Sequence, residues 1–142
     1  MKISTRLDYG VRAMLDLALH ERGGPVQCRD IALRQDIPEP YLNQLLSALR
    51  RGQLILSRRG PGGGHQLARP AGEIRLGEIV DALDGPMVAA WPDGQGDGAT
   101  SCAGTLHDVW RDVTESARRV VDQTTLAELA DRARQRAHSY SI

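Results

Sequence analysis

Five consecutive residues near the middle of the chain, Gly60-Pro61-Gly62-Gly63-Gly64, include four glycines and a proline. Neither a helix nor a central strand tolerates such a run, because glycine gains nothing from either and proline removes a donor. A short apolar run, Leu54-Ile55-Leu56-Ser57, precedes it, and residues 65–68 can form a returning strand. The segment therefore predicts a β-hairpin whose tip has almost no side-chain bulk. A phosphate-binding P-loop is also glycine-rich, but here the Lys-Ser/Thr pair is missing and a strand rather than a helix follows.

Apart from this hairpin the chain reads as helix. Ser4 or Thr5 caps a first helix with Leu7, Val11, Met14, Leu15, Ala18 and Leu19 three and four residues apart, ended by Gly23, Gly24 and Pro25. A short helix over residues 28–35 turns Ile31, Ala32 and Cys28 inward. After Asp36-Ile37-Pro38 comes a third helix over residues 40–51, with Pro40 at its first position, a stripe of Leu42, Leu45, Leu46 and Leu49, and Gly52 as its stop. Residues 76–83 form a fourth helix, with Leu76, Ile79, Val80 and Leu83 on one face. Residues 92–104 hold little that can be buried and read as a loop. A long helix over residues 106–122 carries Leu106, Val109, Trp110, Val113, Ala117, Val120 and Val121, and Thr124-Thr125 caps a last helix over residues 126–137.

The formal charge of zero conceals an asymmetry. Residues 1–70 hold 11 Lys and Arg against 6 acids, whereas residues 71–142 hold 7 against 12. Between residues 50 and 69 stand Arg50, Arg51, Arg58, Arg59 and Arg69 and no acid. A basic half joined to an acidic half suits an electrostatic footprint beside a separate assembly part. No apolar run approaches the roughly 20 residues of a membrane span, and charged residues interrupt the N-terminal apolar stretches as no signal peptide allows. Two cysteines, Cys28 and Cys102, make no disulfide framework. The expectation is a cytoplasmic protein without a membrane partner.

Two short helices, a tight turn and a basic hairpin are the parts of a winged helix-turn-helix. Ala32 is small where two helices must approach, and Asp36 at the turn tolerates the left-handed conformation that glycine usually supplies. An ordinary helical hairpin has the same pattern, but Arg58 and Arg59 beside a bare tip suit phosphates and a minor groove. Residues 93–98 begin like a calcium loop, yet position twelve is Gly104 rather than Glu and Trp91-Pro92 precludes an entering helix. Cys28 reads as a small core residue, and no nucleophile or triad motif occurs, so no enzyme is expected.

Several segments together resemble the Rrf-type bacterial regulators. Residues 1–18 are similar to the family's first helix, Tyr41-Leu42-Asn43-Gln44-Leu45-Leu46 to its recognition helix, and Arg58-Arg59-Gly60-Pro61-Gly62-Gly63-Gly64 to its wing. Leu67-Ala68-Arg69-Pro70 and Ile74-Arg75-Leu76-Gly77-Glu78-Ile79-Val80 match as well. The resemblance implies a fold that is mainly α with a small β-hairpin wing, a winged helix-turn-helix followed by a long dimerisation helix. It implies a homodimer, each recognition helix entering a major groove of a double-stranded operator. Residues 1–85 would bind DNA, 86–104 form an effector loop, and 105–142 hold the dimerisation and C-terminal helices. The expected DNA-contacting set is Pro40, Tyr41, Asn43, Gln44, Arg50, Arg51, Arg58, Arg59, Gly62, Gly63 and Gly64. Asn43 stands where some cluster-sensing members carry Glu, and it can pair bidentately with adenine as Glu cannot.

Cluster-binding members place three cysteines ahead of the long helix, but this chain has only Cys102 there. His107 stands three residues before Trp110, as a ligand does in some members, and Asp8 stands where others supply a ligand across the dimer. The resemblance thus implies an iron–sulfur cluster, a 2Fe-2S group, on Asp8, Cys102 and His107. The residues alone equally describe a surface carboxylate, a loop thiol and a polar residue in a first turn. The functional expectation is a dimeric transcriptional regulator, a repressor, modulated by such a cluster or another effector. The alternative is a redox or metal-binding protein that uses Cys102 and His107 without specific DNA binding.

Overall fold

The computed structural model describes residues 3–86 and 102–140. Six helices and one hairpin follow in the order α1 (Thr5–Leu19), α2 (Cys28–Gln35), α3 (Glu39–Arg51), β1 (Ile55–Arg58), β2 (Gly64–Leu67), α4 (Leu76–Asp84), α5 (Cys102–Gln123) and α6 (Leu126–Ser139). The expected loop over residues 92–104 falls mostly outside the described residues. Its last part differs from expectation, because α5 begins at Cys102, ahead of the expected start at Leu106.

Helix α1 is the centre of the core. Ser4 caps it, accepting from the Leu7 N–H at 3.0 Å and donating to Asp84 at 3.0 Å, so its start is fastened to the end of α4. Its buried residues are Gly10, Ala13, Met14, Asp16, Leu17 and Ala18. Of the expected stripe, Met14 and Ala18 are buried, whereas Leu7, Val11, Leu15 and Leu19 are only partly buried. The burial centre is rotated because α1 is packed by α2, α3, α4 and α6 at once. Gly10 lets α4 approach, since a Cβ there would come 2.2 Å from Leu83.

Helix α3 begins one residue earlier than expected, so Pro40 occupies its second position. Its stripe of Leu42, Leu45, Leu46 and Leu49 is buried. Gly52 follows with φ of −77°, and the left-handed residue is Gln53, at φ 61°. Gly52 is needed for another reason: a Cβ there would meet the Ala82 Cβ at 2.9 Å.

Helix α5 is tied to α4 by Arg118, which donates to both Asp81 oxygens at 2.6 and 2.9 Å and to Asp122 at 2.8 Å. Gly77 makes room for this knot, for a Cβ there would stand 2.1 Å from Asp122 Oδ1. Beyond α5, the Leu76 N–H donates to Thr124 O at 2.8 Å and the Leu126 N–H donates to Ile74 O at 2.9 Å. The α5–α6 corner is thereby stitched to the strand-like entry of α4, and Leu126 and Ala130 are buried in the same core as α1.

Candidate nucleic-acid interface

The turn between α2 and α3 is set by Asp36, which is left-handed at φ 53°, as the sequence predicts. The Ile37 N–H then donates to Ala32 O at 3.0 Å, and buried Ile37 anchors the turn to the core. Amphipathic α3 follows. Its leucines face inward, while Pro40, Asn43, Gln44, Arg50 and Arg51 are exposed. Tyr41 is half-buried, its ring meeting Tyr9 edge-on at 5.9 Å. Part of its role is therefore to pack α3 on α1.

A charged clamp that the sequence reading missed holds α2 against α1. Asp16 is fully buried and accepts from Arg34 at 2.9 and 2.8 Å and from Gln35 at 3.0 Å. Burial alone pushes the Asp16 carboxyl up. The bonds from Arg34 and Gln35, with the charge of Arg34 and of nearby His20, outweigh it and hold the group below its ordinary value. The available signal was an acid three residues after Ala13 on the buried face of α1. Nothing in the sequence pointed to Arg34 as its partner.

The wing pairs Ile55 with Leu67, Leu56 with Gln66, Ser57 with His65 and Arg58 with Gly64. Its other edge is bonded too: Val26 and His65 exchange backbone hydrogen bonds, both of 2.8 Å. Gln27 donates to Gly63 O at 2.6 Å. Gly62 is exposed at the tip. Gly63 and Gly64 serve the wing's own packing, since a Cβ at Gly63 would lie 2.2 Å from Arg58 O and one at Gly64 2.7 Å from Val26 O. His65 Nδ1 and Ser57 Oγ are 2.8 Å apart. Burial, and then the charge of Arg50, push His65 below its ordinary value, so its ring is neutral near pH 7. Arg50, Arg51, Arg58 and Arg59 are exposed, and none pairs with a carboxylate among the described residues.

A recognition helix bare on one side, a clamped wing and unpaired arginines together describe a surface for a polyanion. A profile of Rrf2, described as an iron-dependent transcriptional regulator, matches residues 3–132. The chain belongs to the Rrf2 family. It is 40% identical over 133 residues to the HTH-type transcriptional regulator IscR of Cronobacter sakazakii, covering 92% of this chain and 81% of that one. To IscR of Klebsiella pneumoniae it is 41% identical, covering 92% and 80%. Among solved structures it is similar to CymR, the global cysteine regulator of B. subtilis, with TM-score 0.80, 33% identity and coverage of 92% and 97%. T. potens IscR superposes with TM-score 0.78, 39% identity and coverage of 94% and 88%. This Rrf2 chain is thus a winged-helix DNA-binding transcriptional regulator and not an enzyme. No helix among the described residues is long and apolar enough to cross a membrane.

The iron in the Rrf2 description is a group the donor set here does not fit. Cys102 is an exposed thiol at the first position of α5. His107 follows five residues later, about 140° round the helix, so the two side chains leave it on different sides. The Nδ1 of His107 is buried without a hydrogen-bond partner among the described residues, yet no second thiol accompanies it. Asp8 is half-exposed on α1 and paired with Arg12 at 3.3 Å. Cys28 is half-buried in α2, where burial and then Glu39 push its thiol up. Among the described residues no three His, Cys, Asp or Glu side chains are grouped to hold a metal. A cluster needs about four ligands, mostly thiolates, and besides half-buried Cys28 in α2 only Cys102 stands near the start of α5. Within one chain Asp8, Cys102 and His107 are not grouped among the described residues, and the resemblance has Asp8 act across a dimer.

Proposed function

We propose that two copies of this chain form a homodimer that represses transcription by occupying an operator. The reading head is the α2–α3 pair with its wing. Helix α3 enters the major groove, where Asn43 and Gln44 reach base edges and Asn43 is suited to adenine. Pro40 brings the first turn of the helix close to the DNA backbone, Arg50, Arg51 and Arg58 meet phosphates, and Arg59 enters the minor groove. The single observation that carries this reading is the quartet of exposed arginines without carboxylate partners, set beside a recognition helix whose other face is buried.

The dimer rests on α5. Its residues Leu106, Val109, Val113 and Val120 are 52%, 49%, 40% and 62% exposed, and no residue of α5 is buried. So long an apolar stripe is covered in solution by a second copy, which places two reading heads on one particle. An effector that altered how the paired helices meet would change the spacing of the heads. A cluster on Asp8, Cys102 and His107 is left out of this reading, because that set holds a single thiol. A redox or metal-binding role for Cys102 and His107 is left out on the same ground.

The test is selection of a preferred duplex from a random pool, followed by binding across a salt series. Tight binding to a two-fold symmetric site that weakens steeply with salt supports the proposal. Transcription from a promoter carrying that site should then fall as protein is added. Binding no stronger than to unrelated duplex would overturn it.

A further inference from the structure

We propose that Gln27 is a positioning residue for the wing, fixing the tip that carries Arg58 and Arg59 relative to the α2–α3 pair before DNA arrives. The inference rests on the DNA-binding reading and assigns one residue within it.

Gln27 occupies the N-cap position of α2, where a side chain usually accepts from the first turn of the helix. It makes no such bond. Its side-chain amide instead donates to Gly63 O at 2.6 Å, across 36 positions of sequence. The neighbouring residue does the same with its backbone, as Val26 and His65 exchange two 2.8 Å bonds. The tip is shaped to accept this contact. Gly64 has φ 141°, and any side chain at Gly64 or Gly63 would collide with Val26 or with Arg58.

The physical consequence concerns ordering. A two-stranded hairpin with four-residue strands is marginal by itself, and a tip of glycines is mobile unless something holds it. Ordering such a tip on a duplex would subtract from the binding free energy. The Gln27 bond does that ordering in the free protein, so Arg59 is presented with little further loss of freedom. The carbonyl of Gly63 also keeps a partner instead of competing for water or phosphate.

The experiment uses full-length Gln27→Met, which keeps the length of the side chain and removes its N–H donor without adding charge. Circular dichroism establishes that the variant is folded. In the free protein, amide hydrogen exchange over residues 58–64 should quicken, while α2 and α3 keep their protection. Affinity for the selected operator should fall about tenfold, since a hydrogen bond and an ordered tip are lost. The same change in an Arg59→Ala background should cost less than about twofold, because the wing no longer has its groove contact to position. Equal losses in both backgrounds, or unchanged exchange in the wing, overturn the proposal. Failure of the wild-type protein to prefer any duplex overturns the DNA reading itself, and the exchange result still tells whether Gln27 holds the wing.

Discussion

Asp16 links the acidity of the solution to the posture of the reading head. Its carboxylate is the only charged side chain buried among the described residues, and Arg34 and Gln35 of α2 and His20 just beyond α1 converge on it. Its value in the folded chain is lowered, so the stability it contributes is fully present above the ordinary carboxylate range. That stability is lost as pH falls through the lowered value and the proton displaces Arg34. Asp16→Asn should destabilise the fold by about 2–3 kcal/mol, less than a fully enclosed pair because the Arg34 side chain is 36% exposed. The variant should also flatten the acid limb of stability, which urea unfolding at several pH values would reveal. Arg59→Ala should behave in the opposite manner, keeping the unfolding midpoint and losing about 1–3 kcal/mol of operator affinity in a gel-shift titration. Unchanged affinity in a folded protein would remove Arg59 from the groove. The sequence announced some of these residues and not others. Asp36 was legible because few side chains tolerate a left-handed turn. Asp16 was not, because a carboxylate is stable in a core only through Arg34, a partner 18 residues away that no periodicity connects to it. Gln27 was hidden for the same reason.

Among the elements, α5 is the one whose composition exceeded its surroundings. Its apolar period was readable, and so was the surplus of apolar surface. Its first turn was not, because Cys102-Ala103-Gly104-Thr105 has the small and polar residues of a loop. Gly52 shows the same limit: it reads as a left-handed stop, whereas its lack of a side chain answers to Ala82 on α4, a contact set by the fold. Val113→Asp should yield monomers by light scattering, since it places a carboxylate in the proposed seam. Operator affinity should drop with it, as one particle would then hold one half-site. A variant that stays dimeric would mean that another face forms the contact. Gly77→Ala probes the other side of α5. The added methyl would force Asp122 and Arg118 apart, at about 1–3 kcal/mol of stability by thermal unfolding.

Over the whole molecule, positive charge gathers in the half that carries the reading head, and negative charge in the half that carries α5 and α6. A duplex is thus drawn to the exposed arginines of α3 and the wing, which orients encounter before any specific contact forms. Regulation through iron does not follow from this arrangement. Anaerobic reconstitution should leave no stoichiometric iron or sulfide on the protein, and Cys102→Ala should bind the operator as the wild type does. Iron and sulfide present in the wild type and lost from Cys102→Ala would reverse this conclusion. The stitched corner between α5 and α6 has a last consequence. The paired backbone bonds at Ile74–Leu76 and Thr124–Leu126, with the Arg118–Asp81 fork beside them, fasten the handle to the head among the described residues. The proposed dimer would then act as a ruler. One base pair inserted between the half-sites turns the second by about 35° around the duplex axis, and an arm so fastened cannot follow it. An operator series of graded spacer length should accordingly give one sharp maximum of affinity, with the neighbouring lengths bound little better than random sequence.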